Sequence, residues 1–388
     1  MRSKINSKLF RVFLICILIF LGASAFSQAQ RSTKITEQED IITTKDLTLP
    51  DEAPGGYRWI GISLNDPQES DKVIEKYMKE LFPIIESSEI DAIKGSKKIF
   101  KKLVNDTLGH VEFTMNILVP EHYLDPEPVL LWELNIPEFA SRIFQIYNSD
   151  TIQVAYWPNV VGAPSTKTYT GYYNIFRIRN WPSWKDPEAP PDAPATPPGP
   201  GNPLGLFAAH YDENSLRYFH GTNKNHLLKN QYRALSHGCV RNDNANIDKM
   251  KRMIVTKMVK SKDISWWVNS KKSLIYDFTE EEKIRFPVRI IYKTFNIDRD
   301  IKGDYIIFFK DVYGYEKGSR LSKFDEPQLV TFATLENIIS EYKSKHKPDQ
   351  IQLSDDKLVQ IVKKLLTNRK EYQKYYFDDL VKEIKSGE

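Results

Sequence analysis

Phe219-His220-Gly221-Thr222 and, further on, Leu235-Ser236-His237-Gly238-Cys239-Val240-Arg241 decide how this sequence reads. A thiol is a poor nucleophile until it loses its proton, and its reference pKa is about 8.5. It therefore needs a neighbour that accepts the proton, a task that suits imidazole, with a reference pKa of about 6.5. Two histidines, His220 and His237, precede Cys239 here. Gly238 lets the backbone turn sharply beside the sulfur, and N–H groups at such a turn can hold a developing oxyanion. Local spacing leaves other readings open. His220 can be a satisfied core histidine near a strand end, and His237 can simply flank a turn. The three side chains could also meet a zinc ion, although a structural site wants a fourth ligand.

Working outward, the cysteine count gives Cys239 more weight. The chain has two cysteines, and Cys16 sits in an N-terminal segment laid out as a secretory signal. Arg2, Lys4, Lys8 and Arg11 come first, then an apolar run from Val12 to Leu21, then Gly22, Ala23, Ser24 and Ala25. Cleavage is expected after Ala25 or Ala29, giving a signal peptide over residues 1–29. The run is shorter than the ~20 residues of a membrane span, so a membrane is met only through an uncleaved signal. Cys239 is then the lone cysteine of a protein exported to an oxidising compartment, the periplasm or cell envelope. With no partner for an internal disulfide it is either buried and inert or a reactive thiol. Composition by itself favours burial.

The charge balance changes in the same way. Residues 1–29 carry four basic and no acidic residues, and four from 55 leaves 51 Lys+Arg against 51 Asp+Glu. The basicity belongs to the signal, and nothing points to nucleic acid. Aromatic residues at 12% argue for a packed globular chain.

Residues 30–56 read as a flexible polar lead ending at Pro54-Gly55-Gly56. A helical period from Ser70 to about Phe82 places Val73, Ile74, Tyr77, Met78 and Leu81 on one face, with Pro83 as its stop. A second helix is predicted from Ser96 to about Val104, so 57–125 reads as a small helical N-terminal unit. Strand signals follow at His110–Leu118, Leu130–Ile136, Arg142–Tyr147, Ile152–Val161 and Tyr172–Ile178. Nine prolines between Trp181 and Gly205 exclude a helix or an inner strand there. Strands resume at Leu206–His210 and Leu216–His220, which makes the proline stretch a long loop within one domain. Asn246–Val259 reads as a helix, and strands return at Val288–Phe295 and Asp304–Phe309. The tail, 326–388, is read as a helical extension, with Leu358, Ile361, Val362, Leu365 and Leu366 in one stripe.

Ser236-His237-Gly238-Cys239-Val240-Arg241, with His220-Gly221-Thr222 upstream and 221–235 as the spacer, resembles the signature of L,D-transpeptidases with the YkuD-type catalytic domain. Asn135-Ile136-Pro137-Glu138-Phe139 resembles that family's opening strand motif. Val160-Val161-Gly162-Ala163-Pro164-Ser165-Thr166, with Thr170-Gly171 after it, resembles the next. Pro198 to Gly205 resembles the lead into the active-site strands. A looser likeness to the larger periplasmic members continues through Phe286-Pro287-Val288 and Gly303 to Tyr313-Gly314, so 126–325 is expected to be the catalytic domain. The family implies a mainly β catalytic domain, sandwich- or barrel-like, which with the flanking helices makes the chain α+β.

The resemblance also implies chemistry. Cys239 would attack the carbonyl between a diaminopimelate-type residue and D-alanine in a peptidoglycan tetrapeptide stem, and His220 would take the thiol proton. The Gly221 carbonyl would orient the His220 ring, much as a carboxylate does in other triads. N–H groups of Gly238 and Cys239 would form the oxyanion hole, with Ser236 in the same turn. His237 would pack the motif, and Arg241 would meet substrate carboxylates. No metal or organic cofactor is implied, and acylation by carbapenems is expected. The acyl acceptor is left open: a second stem, a wall-attached protein, or water, the last making an L,D-carboxypeptidase or hydrolase. An inactive wall-binding protein is the alternative from another class. The 181–205 stretch and the residues after Lys224 are candidate flaps over the site.

Overall fold

A computed structural model describes residues 52–103, 111–186, 188–215, 217–346 and 353–386. The signal peptide, most of the lead, Val104, His110 and Leu216 lie outside the described residues. What is described is strand-rich, with seven α-helices.

Residues 57–120 form a three-stranded antiparallel sheet with two helices. β1 (Tyr57–Leu64) pairs with β3 (Val111–Pro120), and β3 with β2 (Lys98–Leu103). α1 (Ser70–Leu81) buries Ile74 and Met78, one turn apart, and ends at Phe82-Pro83. α2 is Ser87–Gly95. The helix expected over 96–104 is instead strand β2. Gly95 closes α2, and the following residues pair with β3, Ile99 opposite Met115 and Phe100 opposite Thr114. Non-local pairing outweighs the local apolar spacing there. The N-terminal unit is therefore mixed α/β.

The twelve-stranded sheet carries the site. It is curled, and its main order is β13-β8-β9-β10-β12-β6-β5-β4-β14-β17. β4 (Val129–Asn135), β5 (Ala140–Tyr147) and β6 (Asp150–Gly162) form an antiparallel meander. β7 (Gly171–Asn174) and β8 (Arg177–Asn180) divide what the sequence suggests as one strand. β9 (Phe207–His210), β10 (Tyr218–His220), β11 (Ala234–Ser236) and β12 (Val240–Asn242) are short, and β13 (Leu274–Asp277) caps one end. α3 (Asn244–Met253) follows β12 and α4 is Glu280–Ile284. In β14 (Pro287–Lys293) Val288, Ile290 and Tyr292 are buried while the residues between them are half-buried, the two-residue period of a strand with one core face.

One apolar core runs from Leu64 and Met78 through Trp132, Phe219 and Val240 to Tyr315. A second core joins β15 (Phe295–Asp300) and β16 (Gly303–Phe308) to the tail. The tail holds β17 (Val330–Thr331), α5 (Leu335–Lys345), α6 (Asp355–Asn368), β18 (Lys374–Tyr376) and α7 (Phe377–Ser386). Leu358, Ile361, Val362 and Leu365 of α6 are buried in that core. The tail is not purely helical: β17 pairs with β14, and β18 with β16.

Candidate active site

The site is set by strand register. β10 and β12 are parallel neighbours, with Phe219 opposite Val240 and His220 opposite Arg241. Phe219 and Val240 are fully buried in the core. Alternation therefore turns the flanking pair His220 and Arg241, and with them Tyr218 and Cys239, to the other face. All four line a cavity of about 170 Å³ together with Trp184, Leu204, Arg217, Ser236 and His237. His220 is buried and Cys239 half-buried.

The turn that carries Cys239 is held from within and from behind. Ser236 Oγ donates to the Cys239 carbonyl at 2.6 Å and accepts the Gly238 N–H at 3.1 Å. Gly238 has φ +106°, and a Cβ there would stand 2.8 Å from Arg217 Nε, so the position suits only glycine. Behind the turn runs the 160–170 loop. Thr168 Oγ1 donates to the Gly238 carbonyl at 2.9 Å and accepts the Gly162 N–H at 2.9 Å. Thr166 Oγ1 and the Ala163 N–H both donate to the Ser236 carbonyl. Tyr313 completes the brace, donating to the Gly162 carbonyl and accepting the Thr168 N–H.

His220 is fixed by its own loop. Its Nδ1 lies 2.5 Å from the Gly221 carbonyl, and that contact is an N–H donating to the oxygen. Asn244 at the start of α3 clamps the next residue, its Nδ2 donating to the Thr222 carbonyl and its Oδ1 accepting the Thr222 N–H. A Cβ at Gly221 would stand 2.3 Å from Asn244 Oδ1, so the tight approach needs glycine. A buried polar chain supports the strand behind: Ser141 Oγ donates to Asn159, Asn159 to Asn242 Oδ1, and Asn242 to the His220 carbonyl.

Burial sets the protonation states. It pushes the Cys239 thiol up to about 11, against the Tyr218 backbone and the Arg217 and Arg241 cations, which favour the thiolate. Burial, helped by the Arg241 cation, holds His220 down at about 3, although the Gly221 and Leu204 carbonyls favour its protonated form. At neutral pH the resting pair is a thiol and a neutral imidazole. The cations Lys185, Arg217 and Arg241 make the cavity receptive to carboxylates.

Two expectations need correction. The Gly238 N–H, expected to face an oxyanion, is engaged by Ser236 Oγ, whose side chain folds back over the turn. His237 does not pack the motif. It is exposed, with Nε2 3.3 Å from Glu188 Oε1, since the buried Ser236 and Gly238 on either side turn it outward. The two histidines thus point to different partners, and among the described residues no group of three His, Cys, Asp or Glu could hold a metal ion. Trp184 and Leu204 bring the proline-rich stretch to the cavity wall, where the Trp184–Thr196 bridge and Asn202 tie it together. Tyr218, Arg217, Thr168, Asn244 and Tyr313 escape a reading of the motif. Only the period of β10 could have marked Tyr218 as sharing the face of His220.

A half-buried thiol and a buried imidazole in one cavity, on adjacent strands of a curled sheet, suit nucleophilic thiol chemistry. Residues 135–262, about a third of the chain, match the L,D-transpeptidase catalytic domain family (YkuD). The chain thus carries an L,D-transpeptidase-like catalytic domain within a mixed α+β fold. Among solved structures, it is similar to the helical cell shape determining protein Pgp2 from Campylobacter jejuni, at 13% identity and TM-score 0.25, over 43% of this chain and 48% of that one. The match thus spans about half the length of that relative. An L,D-transpeptidase from Mycobacterium tuberculosis matches at 13% identity and TM-score 0.25, over 53% of this chain and 86% of that one. An Enterococcus faecium L,D-transpeptidase mutant matches at 13% identity and TM-score 0.26, over 45% and 53%. No curated protein sequence matches the chain.

Proposed function

We propose that this protein is an exported peptidoglycan L,D-transpeptidase working in cell wall biogenesis, with its catalytic domain over 126–325. Cys239 attacks the stem carbonyl before the terminal D-alanine, and the C–N bond breaks. The thiol proton passes through His220 to the departing D-alanine amine, leaving a thioester on Cys239. The Gly221 carbonyl keeps the imidazole oriented, and Arg241 and Arg217 meet the carboxylates of the stem. An amine acceptor then resolves the thioester. The observation that carries this reading is the face shared by His220, Arg241 and Cys239, inside the stretch that matches the family.

Export follows from the layout of residues 1–29 and places the enzyme in the periplasm or cell envelope. Among the described residues no helix is long and apolar enough to cross a membrane. A thiol held in a carboxylate-receptive cavity also makes the site a target for carbapenems.

The test is product analysis. The purified mature protein is incubated with disaccharide tetrapeptides, with and without Cys239→Ala, and the products are weighed by mass spectrometry. Cross-linked dimers that vanish in the variant support transpeptidation. Tripeptides alone identify a carboxypeptidase, and the absence of any thiol-dependent product rules out the enzyme.

A further inference from the structure

A larger cavity lies on another stretch of the twelve-stranded sheet. Its volume is about 460 Å³, and it shares no lining residue with the Cys239 cavity. Sites that hold small organic ligands run from about 300 to 1,000 Å³. Register explains its floor. Glu133 of β4 stands between Arg142 of β5 and Arg289 of β14, while Trp132, Leu134 and Ile290 alternate with them into the core. Residues of β15, α5 and the segment around β17 form the walls, so the cavity lies where the sheet meets the C-terminal core.

Three buried polar side chains line it: Glu133, Asn135 and Asn296, at 8%, 2% and 9% exposure. Buried polar groups are normally satisfied, and two of these are not fully so. Glu133 Oε2 takes the contacts from Arg289, whereas no group among the described residues donates to Oε1. The Asn296 side chain makes only two hydrogen bonds, to Asp298 and from Lys345, both as long as 3.5 Å. An open carboxylate oxygen thus stands beside the remaining N–H groups of a guanidinium, acceptor next to donor. Charge is compensated throughout. The cations Arg142, Arg289, Lys293 and Lys345 meet the carboxylates Glu133, Glu138, Asp298 and Glu341. Nothing in that balance selects an ion. Phe144, Ile291 and Leu329 add apolar surface between the polar groups.

We infer that this cavity binds an uncharged oligosaccharide. A sugar ring carries hydroxyls around its edge, each both donor and acceptor, and C–H groups on its faces. The hydroxyls match the Glu133–Arg289 pair and the Asn296 amide, and the C–H faces match Phe144 and Ile291. Because the charged side chains are already paired with one another, they are fixed in place and lose little freedom on binding. The inference does not rest on the transpeptidase reading, since no lining residue belongs to the Cys239 site. It gives the chain a hold on a glycan that is separate from its thiol.

The test is isothermal titration of the mature chain with chitotriose, with maltotriose and, as a charged control, with pyrophosphate. Saturable binding of a sugar is expected, with an affinity that does not change as salt is raised. Binding of chitotriose alone means that N-acetyl groups are recognised; equal binding of maltotriose means that ring hydroxyls suffice. Affinity is expected to fall about tenfold or more in Glu133→Gln and in Gln328→Trp, and to stay native in Cys239→Ala. Gln328 is exposed on the cavity rim. Its replacement narrows the cavity without touching the buried pairs, and it decides the matter if Glu133→Gln does not fold. Absence of sugar binding would overturn the inference, as would native affinity in Gln328→Trp. Loss of binding in Cys239→Ala would place the sugar at the thiol and overturn it too. So would salt-sensitive binding of pyrophosphate in place of sugar, which identifies an anion site.

Discussion

The Tyr313 hydroxyl donates to the Gly162 carbonyl at 2.9 Å, joining residues 151 positions apart directly behind the turn of Cys239. The same oxygen accepts the Thr168 N–H at 3.0 Å, and Thr168 in turn donates to the Gly238 carbonyl. Tyr313 lies in the segment after β16, well beyond residues 135–262, so the Cys239 turn depends on a later part of the chain. Tyr313→Phe strands a buried carbonyl and a buried N–H, each costing about 1–3 kcal/mol when unsatisfied. Urea unfolding is expected to show a loss of about 2–6 kcal/mol for the two together, with slower acylation of Cys239. A variant with native stability and native rate would show that the brace is idle.

Gly238→Ala is expected to be more severe for activity than for folding. Its φ of +106° is strained for any L-residue, and the new Cβ meets Arg217 Nε. Strain of this kind costs about 1–3 kcal/mol. Relief requires the turn to shift, and a shift of about 1 Å at a reacting atom can cost about a hundredfold in rate. Single-turnover acylation, compared with thermal unfolding of the same variant, checks this.

The resting thiol makes a pH prediction. Burial holds Cys239 up at about 11, so its thiolate fraction rises about tenfold per pH unit below that value. Alkylation of the free enzyme by iodoacetamide is therefore expected to climb steadily from pH 7 to 10 without a plateau. Because His220 sits near 3, its titration adds no step between pH 5 and 8. A plateau reached below pH 8 would reveal a preformed thiolate–imidazolium pair instead.

Asn244→Ala removes both hydrogen bonds that clamp Thr222, next to the carbonyl that orients His220. The expected result is a fall in kcat of about ten- to a hundredfold, part of the roughly hundred- to ten-thousandfold that a positioned general base contributes, with KM little altered. Asn244→Asp keeps the acceptor for the Thr222 N–H and is expected to recover part of the rate. Equal losses in both variants would argue against a positioning role.

The candidate site was readable because its residues are contiguous: His220, Gly221, Ser236, Gly238 and Cys239 fall in two short runs, and each run closes through local hydrogen bonds. What surrounds them was not. Arg217, Thr168 and Tyr313 act through contacts spanning about 50 to 150 positions, which leave no local pattern. The same reason explains β2 and β18. Lys98–Leu103 has the apolar content of a helix and becomes a strand because β3 offers a partner, and Lys374–Tyr376 is a strand because it pairs with β16. Where a buried face is shared within one element, as in α1 and α6, the spacing was sufficient. The fate of the Gly238 N–H could not be read either, since it depends on the rotamer of Ser236.

Whether the acyl group travels on Cys239 is the question on which everything else rests. The direct measurement is rapid quenching of the mature protein with a stem tetrapeptide, followed by proteolysis and mass spectrometry of the peptide containing residues 235–241. The expected result is an added mass equal to the donor stem less D-alanine, located on Cys239 and absent from Cys239→Ala and His220→Ala. Product formed with no such adduct, or an adduct that survives Cys239→Ala, would contradict the assignment of Cys239 as the nucleophile.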